Sequence, residues 1–300
     1  MLLPLLNATE VSVPFPLAWS FDPVITVGLV AGVVLYTLAL RRARAAGRRT
    51  PPTWQVASYY VGMFAVAFAL LGPLDAFNSE SFAIHMAQHL TLMQIAAPLI
   101  LLGRPVQVFL RGVAPRRSGP VLRAVLRRRS ARAVLTALTN PVLAFLLFNG
   151  AMVLWHLPTF YDAALRNDTV HEIEHLSFFG FALVFWWAII EPVPRHHKLP
   201  VVWALASIFF SGLVATAIGA ILTLAPSVVY PFYLHVTNPW GLSALADQQV
   251  AGLAMWVGGG LVYGAILLGM LMAALGGEDD DEVATAEVLS GDPQHLSRPA

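Results

Sequence analysis

The chain contains no cysteine and little charge. Without cysteine it forms no disulfides, thiolate metal sites or cysteine nucleophiles, so a metal would have to be held by His, Met, Asp or Glu. Only 12% of its 300 residues are charged and 57% are hydrophobic, whereas soluble domains are about one-quarter charged. The net charge of +1 gives no reason to expect a nucleic-acid partner. The composition therefore predicts an integral membrane protein whose solvent is the lipid bilayer.

Long apolar runs separated by Gly and Pro predict an all-α, polytopic protein with seven transmembrane helices. A spanning helix needs about 20 mostly apolar residues, and breakers such as Gly72-Pro73 and Asn140-Pro141 mark where these runs end. The seven predicted spans are Pro23 to Leu40, Gln55 to Leu71, Phe82 to Leu102, Pro141 to Leu157, Val170 to Ile190, Val201 to Leu224 and Ala246 to Leu275.

The distribution of Lys and Arg predicts the orientation. Seventeen of the 18 basic residues fall on one side of the predicted spans, and Arg166 is alone on the other. Because basic loops remain in the cytoplasm, we expect the N-terminus outside and the C-terminus inside a bacterial plasma membrane. The predicted parts are an outer segment 1–22, a transmembrane domain 23–275 and an acidic, disordered cytoplasmic tail 276–300.

The longest predicted loop, 104–139, is cytoplasmic and strongly basic. Within it, Val121 to Leu138 has the pattern of an amphipathic helix, with Leu122, Val125 and Leu126 on one face. Such a helix could lie on the anionic inner leaflet. A solvated loop that only fixes the topology is equally compatible with this sequence.

Ionisable side chains within membrane spans are costly and indicate function. Here they fall at one depth, in the predicted outer half of the bilayer, on four different helices. They are His85, His89, His156, His171, His175 and Asp247. A single membrane histidine often only bonds a neighbouring helix, but five histidines at one depth predict a metal or cofactor site.

Spacing indicates which histidines lie on one helix face, and the types of side chain indicate which metals they could bind. His85 and His89 are four residues apart, and so are His171 and His175, so each pair shares one helix face about 6 Å apart along the axis. Imidazole suits copper, zinc, iron or nickel, and thioethers favour Cu(I). We therefore expect copper, as Cu(I) or Cu(II), with zinc as the alternative. Further candidate ligands are Met86, Met255 and Glu174, and Tyr161, Gln88 and Gln248 are candidate supporting residues.

Two other functions fit the same residues. His171-Glu172-Ile173-Glu174-His175 matches the H-E-x-x-H pattern of zinc hydrolases, in which Glu172 would be the general base and Asp247 could be a third ligand. The two His pairs could also bind haem, although their similar depth suggests one layer of ligands rather than two stacked haems.

Several motifs in order resemble the CtaG-type cytochrome c oxidase assembly factors, an integral membrane family tied to aa- and caa-type oxidases. The similarity extends over about Leu71 to Leu275. The matching blocks are His85-Met86-Ala87-Gln88-His89, Ala97-Pro98-Leu99, Leu102-Gly103-Arg104-Pro105, Trp155-His156-Leu157-Pro158, Tyr161-Asp162-Ala163-Ala164-Leu165, His171-Glu172-Ile173-Glu174-His175, Asp247-Gln248-Gln249, Ala251-Gly252 and Met255-Trp256.

This resemblance implies a role in maturing a haem–copper oxidase, by supplying copper rather than by catalysis. The expected partners are the oxidase subunits and an extracytoplasmic copper donor. Combined with the histidine layer, it predicts a membrane metallochaperone in which His85, His89, His171 and His175 bind the metal, while His156 and Asp247 bind or support it.

Overall fold

The structure, a computed structural model, describes residues 14–112, 128–138, 140–190, 199–272 and 274. Those residues form helices joined by turns, with no β-strand among them. Several helices begin at a residue whose side chain accepts a hydrogen bond from the first turn. These residues are Asp22, Ser81, Asn140 and Ser243.

Six helices are long and apolar enough to cross a membrane, and a bent pair of helices brings the number to seven if the pair is one span. We number them in chain order as the first to the seventh span. Their bounds are Pro23–Ala45, Thr53–Ala76, Phe82–Gly112, the pair Pro141–Trp155 and Pro158–Arg166, Asp168–Ile190, Val201–Leu224 and Ala244–Met272. The all-helical, multi-pass prediction is confirmed at this level.

The fourth span was predicted from Pro141 to Leu157, and the structure adds a second helix directly after it. Pro141–Trp155 has only 15 residues, and the chain then turns by 76° into the short helix Pro158–Arg166. Pro158 lies at the start of this second helix, where the missing N–H of proline costs nothing. The second helix therefore runs across the end of the bundle.

The third span is the most enclosed, with 61% of its apolar window buried, against 17% for the first span. It changes from α-helix to a π-helical segment at Thr91–Ala96 and returns to α-helix at Ala97–Leu102. Pro98, which has no N–H for the α-helical ladder, is the second residue after this segment. The third span is thus locally widened at this point. The helix Pro105–Gly112 continues beyond the predicted end.

The sixth and seventh spans are in close contact through glycine. A Cβ atom on Gly252 would lie 2.5 Å from the carbonyl oxygen of Gly219, and one on Gly219 would lie 2.8 Å from that of Gly252. Only residues without a side chain allow backbones to approach this closely. This contact fixes the seventh span, and hence Asp247, beside the rest of the bundle.

Two short segments cover the end of the bundle at which the third, fifth and seventh spans begin, which we name the cluster end. One is the helix Pro158–Arg166, and the other is the 3-10 turn Pro231–His235 between the sixth and seventh spans. They place Tyr161 and Tyr233, both buried, against Phe82 at the start of the third span. Polar side chains beneath this cover are therefore shielded from solvent.

Part of the basic loop lies within the described residues. Helix Arg129–Leu138 is present, as the predicted amphipathic pattern requires. The predicted apolar face of Leu122, Val125 and Leu126 and the acidic tail lie outside the described residues. The orientation of the termini remains a prediction.

Candidate metal centre

The third and fifth spans bring their histidine pairs face to face. The ring centroids of His85 and His171 are 5.1 Å apart, and those of His89 and His175 are 5.2 Å apart. Within each helix the rings are 4.4 Å apart in the first pair and 4.1 Å in the second. The four imidazoles therefore form a compact rectangle between two helices, which we name the His rectangle.

Glu174 completes this cluster from the fifth span. Its side chain is 0% exposed. One carboxylate oxygen lies 4.0 Å from His85 Nε2 and the other lies 3.9 Å from His89 Nε2. Glu172, the glutamate that the zinc-hydrolase pattern assigns as base, is exposed. The carboxylate within the His rectangle is therefore the one outside that catalytic pattern.

The donor atoms converge closely enough for one metal ion. Two groups each have their donor atoms within 4.8 Å of one another: His85, His89 and His175, and His85, His171 and Glu174. The Nε2 atoms of His85 and His171 are 3.3 Å apart. Two nitrogens on a tetrahedral ion at about 2.0–2.1 Å are separated by about 3.3–3.4 Å. This pair thus already has the spacing of two ligands on one ion.

Buried polar atoms without a protein partner support the same assignment. Among the described residues these include both ring nitrogens of His89, Nε2 of His175 and both carboxylate oxygens of Glu174. Buried polar atoms are normally hydrogen-bonded, because leaving one unsatisfied costs about 1–3 kcal/mol. A coordinated cation would satisfy atoms of all three residues, so the residues fit a metal ion.

A hydrogen-bond chain connects His85 to the cover of the bundle. The Tyr233 hydroxyl donates to the backbone oxygen of Asn78 at 3.1 Å, and the Tyr161 hydroxyl lies 3.3 Å from that of Tyr233 and 2.9 Å from His85 Nδ1. Since the Asn78 oxygen can only accept, every link carries one proton if Tyr161 donates to Tyr233 and His85 Nδ1–H donates to Tyr161. This arrangement leaves the Nε2 lone pair of His85 facing the other imidazoles.

His156 lies beside the His rectangle, in neither group of converging donors. Its Nδ1–H donates to the Met152 oxygen at 2.6 Å, and its Nε2 is buried without a protein partner. The Phe178 ring lies 4.7 Å from the ring of His89 and 6.3 Å from that of His156. His156 therefore flanks the same phenyl ring as His89 and presents a free nitrogen, and its predicted metal role remains a prediction.

Asp247 lies at the start of the third span instead of among the imidazoles. Its carboxylate accepts hydrogen bonds from Ser81 Oγ at 2.8 Å and from the backbone N–H groups of Phe82 at 2.6 Å and Ala83 at 3.2 Å. These are N–H groups that a helix start leaves without intrahelical partners. The geometry gives Asp247 the function of a cap supplied by the seventh span.

The two candidate methionines lie in an apolar cluster at the cluster end. Met86 and Met255 are both buried with Phe82, Tyr161, Tyr230 and Tyr233, and their predicted role as ligands remains a prediction. Of the candidate supporting residues, Tyr161 contacts His85, whereas Gln88 bonds Ala69 and Asp75, and Gln248 bonds Leu222 and Val229.

Sequence reasoning missed Tyr233 and Asn78, whereas it named Glu174 as a candidate ligand and placed Glu172 only in the competing hydrolase pattern. Helical spacing carried the signal for Glu174. Its position is one residue before His175 and three after His171, so it lies on the flank of the face that these histidines define. For Tyr233 there was no local signal, because it lies 148 residues from His85 along the chain.

A helical bundle with a buried His and Glu cluster near one end is the architecture of a multi-pass membrane protein with a candidate metal centre. The model of the cytochrome c oxidase caa3 assembly factor family matches residues 34–275. The chain belongs to this family, and the resemblance stated above is confirmed.

Curated relatives occur in mycobacteria. An uncharacterised protein of Mycobacterium leprae is 28% identical over 253 residues, covering 81% of this chain and 37% of the relative. Uncharacterised proteins of Mycobacterium bovis and Mycobacterium tuberculosis are each 31% identical over 250 residues, covering 79% of this chain and 36% of the relative. The chain thus spans little more than a third of their length. No solved structure matches it significantly.

Proposed function

We propose that this assembly factor binds a copper ion in the His rectangle and supplies it to a haem–copper oxidase on the outer side of the membrane. The convergence of four imidazoles and one buried carboxylate, with His85 and His171 Nε2 atoms 3.3 Å apart, carries the proposal. Imidazole binds copper well, and the family is one of oxidase assembly factors. Zinc is the alternative ion.

The proposed role requires reversible binding rather than catalysis. A carrier needs few ligands and a site that exchanges its ion. His85, His89, His171, His175 and Glu174 offer overlapping sets of three donors. The neutral imidazoles and the carboxylate would hold the ion, while the cover at the cluster end excludes water.

The arrangement does not favour the two alternatives weighed from sequence. A hydrolase of the H-E-x-x-H type needs Glu172 beside the metal-bound water, but Glu172 is exposed and Glu174 occupies the cluster. A haem with two axial histidines requires a flat macrocycle between them, and the contact between His85 and His171 leaves no such gap.

Metal quantitation on the detergent-purified chain tests the proposal. We expect about one copper per wild-type chain, and a copper content reduced by about tenfold or more in His89→Ala, because the loss of a ligand weakens the site. His235→Ala is the matched control, since His235 is exposed in the turn Pro231–His235. Copper content that is equal in wild type and His89→Ala, or absent from both, refutes copper binding at this site.

The assembly role needs a cellular measurement. In cells lacking the protein we expect the oxidase to be deficient in copper, with activity restored by the wild-type chain and not by His89→Ala. Excess copper in the medium should partly replace the protein. If His89→Ala restores full oxidase activity, the chain assists assembly by a route that does not use this site.

A further inference from the structure

The His rectangle has two levels, one helical turn apart. His85 faces His171 at the level near the cluster end, and His89 faces His175 one turn further into the bundle. The three-donor groups follow these levels. We name the group of His85, His171 and Glu174 the rim position, and the group of His85, His89 and His175 the deep position.

The two carboxylate oxygens of Glu174 lie beside different levels. Its Oε2 is the oxygen near His85, at 4.0 Å, and its Oε1 is the oxygen near His89, at 3.9 Å. A cation between these levels would therefore have a carboxylate oxygen beside it throughout. No other carboxylate of the described residues contributes a donor atom to either position.

The two positions exclude each other. Both use His85, whose Nδ1 bonds Tyr161 and whose Nε2 is the atom that faces the cluster. One lone pair binds one ion. In addition, two cations a helical turn apart would repel each other with a single carboxylate between them to offset their charge. The site therefore accommodates one ion at a time.

Access differs between the levels. His171 and His175 are both partly exposed, but Nε2 of His175 is buried, His89 is 1% exposed and Glu174 is 0% exposed. The first turn of the fifth span also carries exposed Asp168 and Glu172 beside His171. Their charge raises the local concentration of cations at the rim. The rim position is therefore the less buried of the two, which favours entry of an ion by way of the rim.

We propose that a single copper ion moves between these two positions, so that the rim position exchanges it with donors and acceptors while the deep position stores it. His85 and Glu174 remain bound or adjacent during the transfer, and His171 exchanges for His89 and His175. This inference rests on the proposed function and adds a kinetic role for each histidine.

Uptake and release rates distinguish the two positions. The purified full-length chain in detergent is loaded with Cu(I) under reducing conditions and mixed with bathocuproine disulfonate, which reports release by its colour. Affinity comes from equilibrium competition with the same chelator. His171→Ala should slow release and uptake by about tenfold or more while the Kd changes by less than about threefold, because the deep position sets the affinity.

His89→Ala should have the opposite effect. We expect its Kd to weaken by about tenfold or more and its release to become faster, because the ion is then confined to the rim. His235→Ala should change neither quantity, and His171→Asn provides a second rim variant if the alanine variant does not fold. Wild type should hold one Cu(I) per chain.

Several results would overturn the two-position proposal. They are two ions bound per chain, equal losses of affinity in the His171 and His89 variants, or unchanged rates in both rim variants. Each leaves copper binding itself intact. Failure of the wild-type chain to bind Cu(I) overturns the proposed function together with this inference.

Discussion

At the scale of single residues, the most informative group is the tyrosine pair above His85. Tyr161 and Tyr233 connect His85 Nδ1 to the Asn78 carbonyl. Because that oxygen only accepts, Tyr233 donates to it, and every link carries a proton when His85 Nδ1–H donates to Tyr161. A metal-binding histidine has a defined tautomer and ring orientation when its other ring nitrogen donates to a fixed partner. Tyr161 is therefore a positioning residue for the metal site.

Substituting Tyr161→Phe removes the nearer partner of His85 Nδ1–H, at 2.9 Å, and leaves only the Tyr233 hydroxyl at 3.3 Å, so metal binding should weaken by about tenfold. Nitrogen NMR of histidine-labelled protein should show the Nδ1–H form of His85 in wild type and a mixture of tautomers in the variant. Tyr263→Phe is the matched control, since Tyr263 is a buried tyrosine that stacks on Trp186. If the tautomer and the affinity are unchanged in Tyr161→Phe, the chain does not position His85.

At the same scale, sequence spacing predicted the pairing of His85 with His89 and of His171 with His175, because four residues return a helix to the same face. It also named Glu174 as a candidate ligand, but spacing alone left Glu172 open as the base of the hydrolase pattern. Both flank a histidine, and the rotation of the fifth span about its axis is set by packing of residues such as Phe178 and Phe185 against neighbouring helices.

At the scale of helices, the third span is held in place by a carboxylate from the seventh. Asp247 accepts two backbone N–H groups and the Ser81 hydroxyl at the start of the span that carries His85 and His89. The sequence showed Asp247 at the correct depth, but its partners lie more than 160 residues away. Distance along the chain is why its capping contact could not be predicted.

Substituting Asp247→Ala leaves these N–H groups buried without an acceptor, so we expect a loss of about 1–3 kcal/mol in the free energy of unfolding. Thermal unfolding in detergent measures this change, and Glu80→Ala, which removes a nearby exposed carboxylate, is the control. Copper per folded chain should be unchanged. A stable Asp247→Ala protein that has lost its copper would instead identify Asp247 as a ligand.

At the scale of the whole molecule, composition and apolar runs predicted the multi-pass helical fold, since each span must satisfy its own backbone in lipid. The bend between Trp155 and Pro158 was not predicted. The residues after it mix apolar side chains with Asp162 and Arg166, and they pack through contacts that are distant in the sequence, such as that of Tyr161 with Phe82. The bend matters because it forms half of the cover above the His rectangle.

The proposed function requires that the cluster end faces outside the cell. The chain has no cysteine, so a single introduced cysteine is a unique label. A membrane-impermeant maleimide should label Ala163→Cys, which is exposed at the cluster end, in intact cells. Ala46→Cys, exposed just after the first span, should react only after the membrane is permeabilised. The reverse pattern contradicts both the orientation and delivery of copper on the outer side.

The central claim is that imidazoles of the third and fifth spans hold the metal. X-ray absorption spectroscopy of the copper-loaded, purified chain tests it most directly. The spectrum should show a shell of nitrogen and oxygen ligands with the outer scattering of imidazole rings, and His85→Ala, which removes the donor common to both positions, should lose part of that scattering. A shell dominated by sulfur, or a spectrum that His85→Ala leaves unchanged, would contradict the claim.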